Sequence, residues 1–136
     1  MGLFGFLRKN KIELTEEQKK WNKVWDLWAA GQADPPYAEL MTYQSELNNG
    51  GHYQFFSNIE ATGDLQKVMT VLDTVLPAKL QKNLQKAYKA YLVLEKTEAD
   101  EKAEAILEKC DDLFYENDEV INGILGEYAA KITLSR

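Results

Sequence analysis

A chain of 136 residues and 15.6 kDa, 45% of them hydrophobic, can fill one continuous core but has no room for a second. Its 22 acidic and 16 basic residues leave a formal charge of −6, which disfavours nucleic acid as a generic partner, because duplex binding depends on cationic neutralisation of phosphates. A single cysteine, Cys110, excludes an internal disulfide and suits a reducing compartment, so the expected location is cytoplasmic.

The chain starts Met1-Gly2-Leu3-Phe4-Gly5-Phe6-Leu7 and continues Arg8-Lys9-Asn10-Lys11. The apolar stretch is too short for a signal sequence, and its basic cluster follows where it should precede. Phe6 stands where an acylation signal needs Ser or Thr. Residues 1–14 are therefore expected to form a flexible or loosely docked arm, and not a membrane contact through Leu3, Phe4, Phe6 and Leu7. No later stretch reaches the roughly 20 apolar residues that cross a bilayer.

Residues 15–136 have helical spacing throughout. Thr15 with Gln18 has the form of a capping box, Trp21, Val24, Trp25 and Trp28 share one stripe, and Gly31 is a natural stop. Asp34 before Pro35 and Pro36 reads as an N-cap with proline at the first helical position, opening a helix with Tyr37, Leu40, Met41 and Leu47 that ends near Asn48. Phe55, Phe56 and Ile59 suggest a buried helix of about two turns. Thr62-Gly63-Asp64 resets the chain, and Leu65, Val68, Met69, Leu72 and Val75 make a stripe closed by Pro77. Leu80, Leu84, Ala87, Tyr88, Tyr91 and Leu92 form the next face. Thr97 can cap a helix carrying Ala103, Ile106, Leu107, Cys110, Leu113 and Phe114. Asn117 can cap a last one with Val120, Ile121, Ile124, Leu125 and Tyr128. The expected class is all-α: a single compact domain of six or seven helices, with no sustained strand pattern and no repeat.

Catalytic signatures are missing. His52 is the only histidine, and neither a Gly-x-Ser-x-Gly elbow nor another nucleophile signature accompanies it. A zinc site would lack nitrogen and sulfur ligands beyond His52 and Cys110, and Gly50-Gly51 is an isolated pair without phosphate-loop spacing. Cys110 lies in an apolar stripe and reads as an inert buried thiol. No catalytic residue, metal or cofactor is expected.

The segment Glu46-Leu47-Asn48-Asn49-Gly50-Gly51-His52-Tyr53-Gln54-Phe55-Phe56-Ser57-Asn58 is dense in unusual side chains. Glycine tolerates positive φ and asparagine bonds nearby amides, so Asn-Asn-Gly-Gly can end one helix and begin another. A second reading gathers Glu46, Asn49, His52, Gln54 and Asn58 around a polar pocket, with Glu46 or His52 as acid or base. That reading makes the chain a small-molecule-binding protein or an unrecognised enzyme.

The pattern Glu-x-x-Asn-Gly-Gly-x-x-Gln-Phe-Phe-x-Asn, running from Glu46 to Asn58, resembles the hallmark of the bacterial DNA-mimic-protein-like C-terminal domain family. The resemblance runs from about Tyr37 to Tyr91 and resumes from Cys110 to Tyr128, and its motif residues are Glu46, Asn49, Gly50, Gly51, Gln54, Phe55, Phe56 and Asn58. It implies a helical domain of otherwise unknown function, without assigned catalysis. One member is described as an acidic dimer that imitates duplex DNA and occupies a transcription factor's DNA-binding surface.

Charge is unevenly distributed. Residues 1–94 hold 10 acidic and 11 basic side chains, whereas residues 95–136 hold 12 and 5. Asp100, Glu104, Glu108 and Asp111 are expected on one polar face, with Asp112, Glu116, Asp118 and Glu119 extending it. The leading expectation is a non-enzymatic domain, homodimeric by the resemblance. This acidic surface would meet a basic protein such as a DNA-binding regulator, with no direct nucleic-acid contact.

Overall fold

The computed structural model describes residues 13–134, so the arm expected at the N-terminus lies almost wholly outside the described residues. Six helices follow in order: α1 (Glu16–Ala29), α2 (Tyr37–Thr62), α3 (Leu65–Asp73), α4 (Ala78–Lys96), α5 (Glu101–Glu116) and α6 (Asp118–Ala130). No strand occurs among the described residues, and no described helix is long and apolar enough to cross a membrane.

Local chemistry sets most of the helix ends. Thr15 Oγ1 accepts from Gln18 N at 3.1 Å while Thr15 N donates to Gln18 Oε1 at 2.9 Å, completing the expected capping box. Gly31, at φ 73°, closes the turn after α1. Asp64 caps α3 by accepting from Lys67 N.

Three expected caps differ. The helix after Asp34 begins at Tyr37 with Pro36 as N-cap and no side-chain cap; Asp34 meets Tyr128 instead, whose Oη accepts from Asp34 N at 2.9 Å and donates to Asp34 Oδ2 at 3.4 Å beside the stacked Tyr37 and Tyr128 rings. Thr97 closes α4 by donating its N–H to Val93 O, and Asp100 caps α5 instead through Ala103 N at 2.9 Å. Asn117 stands at the α5–α6 boundary, but its amide donates backwards to Leu113 O and makes no side-chain cap for α6.

The core runs through α2, α4 and α5 and is closed by α3 and α6. Leu40, Tyr43, Leu47, Phe55, Phe56, Leu72, Leu84, Ala87, Phe114, Ile121 and Leu125 have no exposed surface. Burying one such side chain contributes about 1.5–3 kcal/mol, so α2, which supplies five of these eleven, is the axis of the domain. The three tryptophans of α1 are only partly buried and meet edge to face, and Trp28 Nε1 donates to Thr42 Oγ1 at 2.9 Å. Leu92, Ile106 and Val120, read from their spacing as core, are exposed, since each lies at the edge of its helix's apolar stripe where no further element covers it.

The two helices expected on either side of Asn-Asn-Gly-Gly are one kinked element. Gly51 alone leaves the helical region, at φ 80° and ψ −174°, so both expected helical segments are present, joined directly through the kink, and counted together as α2 they give six elements.

Candidate interaction surface

The conformation of Gly51 is one that essentially only glycine adopts. It is also crowded: a Cβ there would land on Asp111 Oδ2, with Asp111 Cγ at 3.0 Å. Because the kink interrupts the helical ladder, His52 N donates instead to Asp111 Oδ1 at 2.8 Å, across 59 positions in sequence. A carboxylate at that point also faces the positive end of the helix half that His52 begins.

The same carboxylate orients the histidine ring. His52 Nδ1 lies 2.6 Å from Asp111 Oδ1, and Tyr43 Oη lies 2.6 Å from His52 Nε2. A carboxylate only accepts, so Nδ1 carries the proton, and Nε2 accepts from the Tyr43 hydroxyl. Tyr43 and His52 have no exposed surface, and Phe55, Phe56 and Phe114 pack around them. Burial, with Cys110 and Asp111 adding to it, holds the Tyr43 hydroxyl well above the ordinary tyrosine range, which keeps it a donor. Tyr115 Oη donates to Leu47 O at 2.6 Å, so α5 grips α2 on both sides of the kink.

The polar residues that the pocket reading gathers divide into separate sets. Glu46 Oε2 accepts from Gln54 Nε2 at 3.2 Å and from Asn58 Nδ2 at 2.8 Å, so three motif side chains bridge the two halves of α2. Asn49 is exposed and lines a shallow groove with Trp25, Gln44, Ser45 and Asn48. His52 is inside the core. The motif is thus the construction of the kink: Gly51 makes it, Glu46, Gln54 and Asn58 brace it, and Phe55 and Phe56 bury it.

The eight acidic residues expected on one surface also divide. Asp100 is spent as the α5 cap, Asp111 holds His52, and Asp118 accepts from Gln44 Nε2 and Asn122 Nδ2. Glu104, Glu108, Asp112, Glu116 and Glu119 are exposed, and none makes an ion pair within 4.0 Å among the described residues. A groove of about 430 Å³ borders this face, lined by Leu94, Glu98, Glu104, Glu108, Asp111 and the exposed ring of Tyr53. No group of three or more potential metal-binding side chains occurs among the described residues. Cys110 is buried, and burial raises its thiol above the ordinary value.

Sequence spacing missed the roles of Tyr43, Asp111 and Tyr115. Asp111 sits between Cys110 on the apolar stripe and Asp112 on the polar face, a border position that spacing assigns to either side.

The site and fold together define an all-helical domain organised on a glycine-kinked central helix, with carboxylates along one neighbour that make no ion pair among the described residues. The profile of the DMP19-like protein family matches residues 37–132, and the chain belongs to that family. The match opens at the first residue of α2 and runs past the end of α6, leaving α1 outside. No curated protein and no solved structure matches the chain.

Proposed function

We propose that this chain is a non-enzymatic interaction domain whose α5 face docks on the cationic surface of a nucleic-acid-binding protein, in the place of a phosphate backbone. The observation that carries this reading is the row Glu104, Glu108, Asp112 and Glu116, exposed at four-residue steps and without cationic partners among the described residues. Neighbours in such a row are about 6 Å apart along the helix axis, against about 3.4 Å between phosphates of one DNA strand. One copy therefore offers about half the charge density of one strand, and a homodimer would lengthen the row. Glu119 continues the field on α6, and the groove at Tyr53 offers an aromatic face on which an arginine can stack. The family's resemblance to DNA mimics supports the same direction. Against chemistry at the kink stands the state of His52, whose two ring nitrogens are both engaged inside the core.

The test is charge reversal of Glu104, Glu108, Asp112 and Glu116 to lysine, leaving Asp111 in place. Binding to basic DNA-binding domains should fall steeply between about 50 and 200 mM salt for the native chain and be lost in the variant. Duplex DNA should compete for the same partner. Unchanged binding by a folded variant would refute the proposal.

A further inference from the structure

A second charged row has the opposite sign. Lys79, Lys82, Lys86 and Lys89 recur along α4 at three- and four-residue steps, and no acidic residue occurs between Ala78 and Leu94. All four are exposed and make a row about 15 Å long, away from the buried stripe of Leu80, Leu84, Ala87 and Tyr91. Like charges at this spacing oppose helix formation, and none of the four has an ion-pair partner within 4.0 Å among the described residues. In a chain of net charge −6, this row is a local reversal of sign.

Grooves flank the row on both sides. One of about 520 Å³ is lined by Asp73, Gln81, Lys82, Gln85, Lys86 and Lys89. The other, of about 350 Å³, lies between α4 and α5, and Lys86 and Lys89 border it too. Lys102 adds a cation from α5, and the only carboxylate at this groove, Asp100, is spent on Ala103 N. Its floor is aliphatic, formed by Ala90, Val93 and Ile106, with Val93 43% and Ile106 37% exposed.

We infer that this α4–α5 groove is a docking site for an acidic amphipathic segment of another protein. Aliphatic side chains of the segment would cover Val93 and Ile106, while its carboxylates pair with Lys86, Lys89 and Lys102. Charge complementarity selects an anionic occupant, and the aliphatic floor selects a protein segment over nucleic acid. Phosphates would leave Val93 and Ile106 uncovered, and no aromatic ring lines the groove to stack a base. The site is separate from the acidic face of α5 and takes a partner of opposite charge.

The experiment is a titration of isotope-labelled full chain with a synthetic peptide carrying leucine and glutamate at helical three- and four-residue spacing, followed by amide chemical shifts. Saturable shifts are expected around Ala90, Val93 and Ile106. Affinity should fall by about tenfold or more in Lys86→Glu/Lys89→Glu, in the milder Lys86→Gln/Lys89→Gln, and in Ile106→Ser. Glu104→Lys/Glu108→Lys should leave peptide binding intact, which separates this site from the function proposed above. The inference is overturned by an absence of saturable shifts. It also fails if a peptide of equal charge lacking leucine binds as well, or if duplex DNA binds the groove more tightly with the same lysine dependence. Sedimentation showing a self-associated species that the lysine variants dissolve would assign the groove to a second copy and equally overturn it.

Discussion

Asp111 caps the helical half that begins at His52, accepting from both the backbone N–H at 2.8 Å and the ring Nδ1 at 2.6 Å. A cap normally comes from the residue preceding the helix, but here that residue is Gly51, which has no side chain to offer. The carboxylate comes from α5, so the kink in α2 and the docking of α5 depend on the same contacts.

Gly51→Ala should be severely destabilising, and Gly50→Ala much less so. At Gly51 a side chain meets both the unfavourable backbone region, at about 1–3 kcal/mol, and the Asp111 carboxylate. At Gly50 the crowding comes from the side chain of Gln54 and φ is ordinary, so rotation of Gln54 away from Glu46 relieves part of it. Urea unfolding of both variants tests the order, and equal losses would contradict this account of the kink.

Asp111→Ala should cost about 2–4 kcal/mol, since it strands two donors of His52, a residue with no exposed surface. Asp111→Asn retains an acceptor oxygen and should cost less. Tyr43→Phe should cost about 1–2 kcal/mol by leaving His52 Nε2 without its donor. A double-mutant cycle between Tyr43→Phe and Asp111→Asn should give a coupling well above zero, because both act through one imidazole.

Reversing a single carboxylate in the exposed row should stabilise the isolated protein while weakening its binding to a basic partner. Glu108→Lys turns repulsion from Glu104 and Asp112 into attraction, at about 0.2–0.5 kcal/mol for each pair. Melting temperature at low salt is the check. If stability fell instead, the row would be serving the fold.

Stability should decline at alkaline pH. Burial raises the ionisation of Cys110, Tyr43, Tyr115 and Tyr128 above their ordinary values, so the folded state favours their protonated forms. Their contribution is complete below the unfolded values and is lost as pH rises through the folded ones, so the decline starts at about pH 9. Denaturant midpoints measured from pH 7 to 11 should fall across the upper half of that range. Cys110 should react with thiol reagents only at the rate of unfolding.

Much of the domain is legible in one dimension. Three- and four-residue apolar spacing identifies the all-α class, and short-range chemistry places caps such as Thr15 with Gln18, because both partners lie within one helical turn. The Glu46 to Asn58 motif marks the junction and the family, and clustering of carboxylates after Glu95 marks the acidic end. The lysine row of α4 was equally open to reading, although the near-neutral charge of residues 1–94 concealed it.

Tertiary structure decided which of those side chains remain free. Asp111 lies on the border of the α5 stripe and is committed only when His52 arrives from α2, 59 positions away. Asp100 and Asp118 are likewise withdrawn from the surface by partners, while Ile106 and Val120 are left on it because no element covers their edge. Sequence spacing states which face of a helix a residue occupies. Whether a carboxylate on that face is structural or available depends on the distance to donors on other helices, and that distance exists only once the chain has folded.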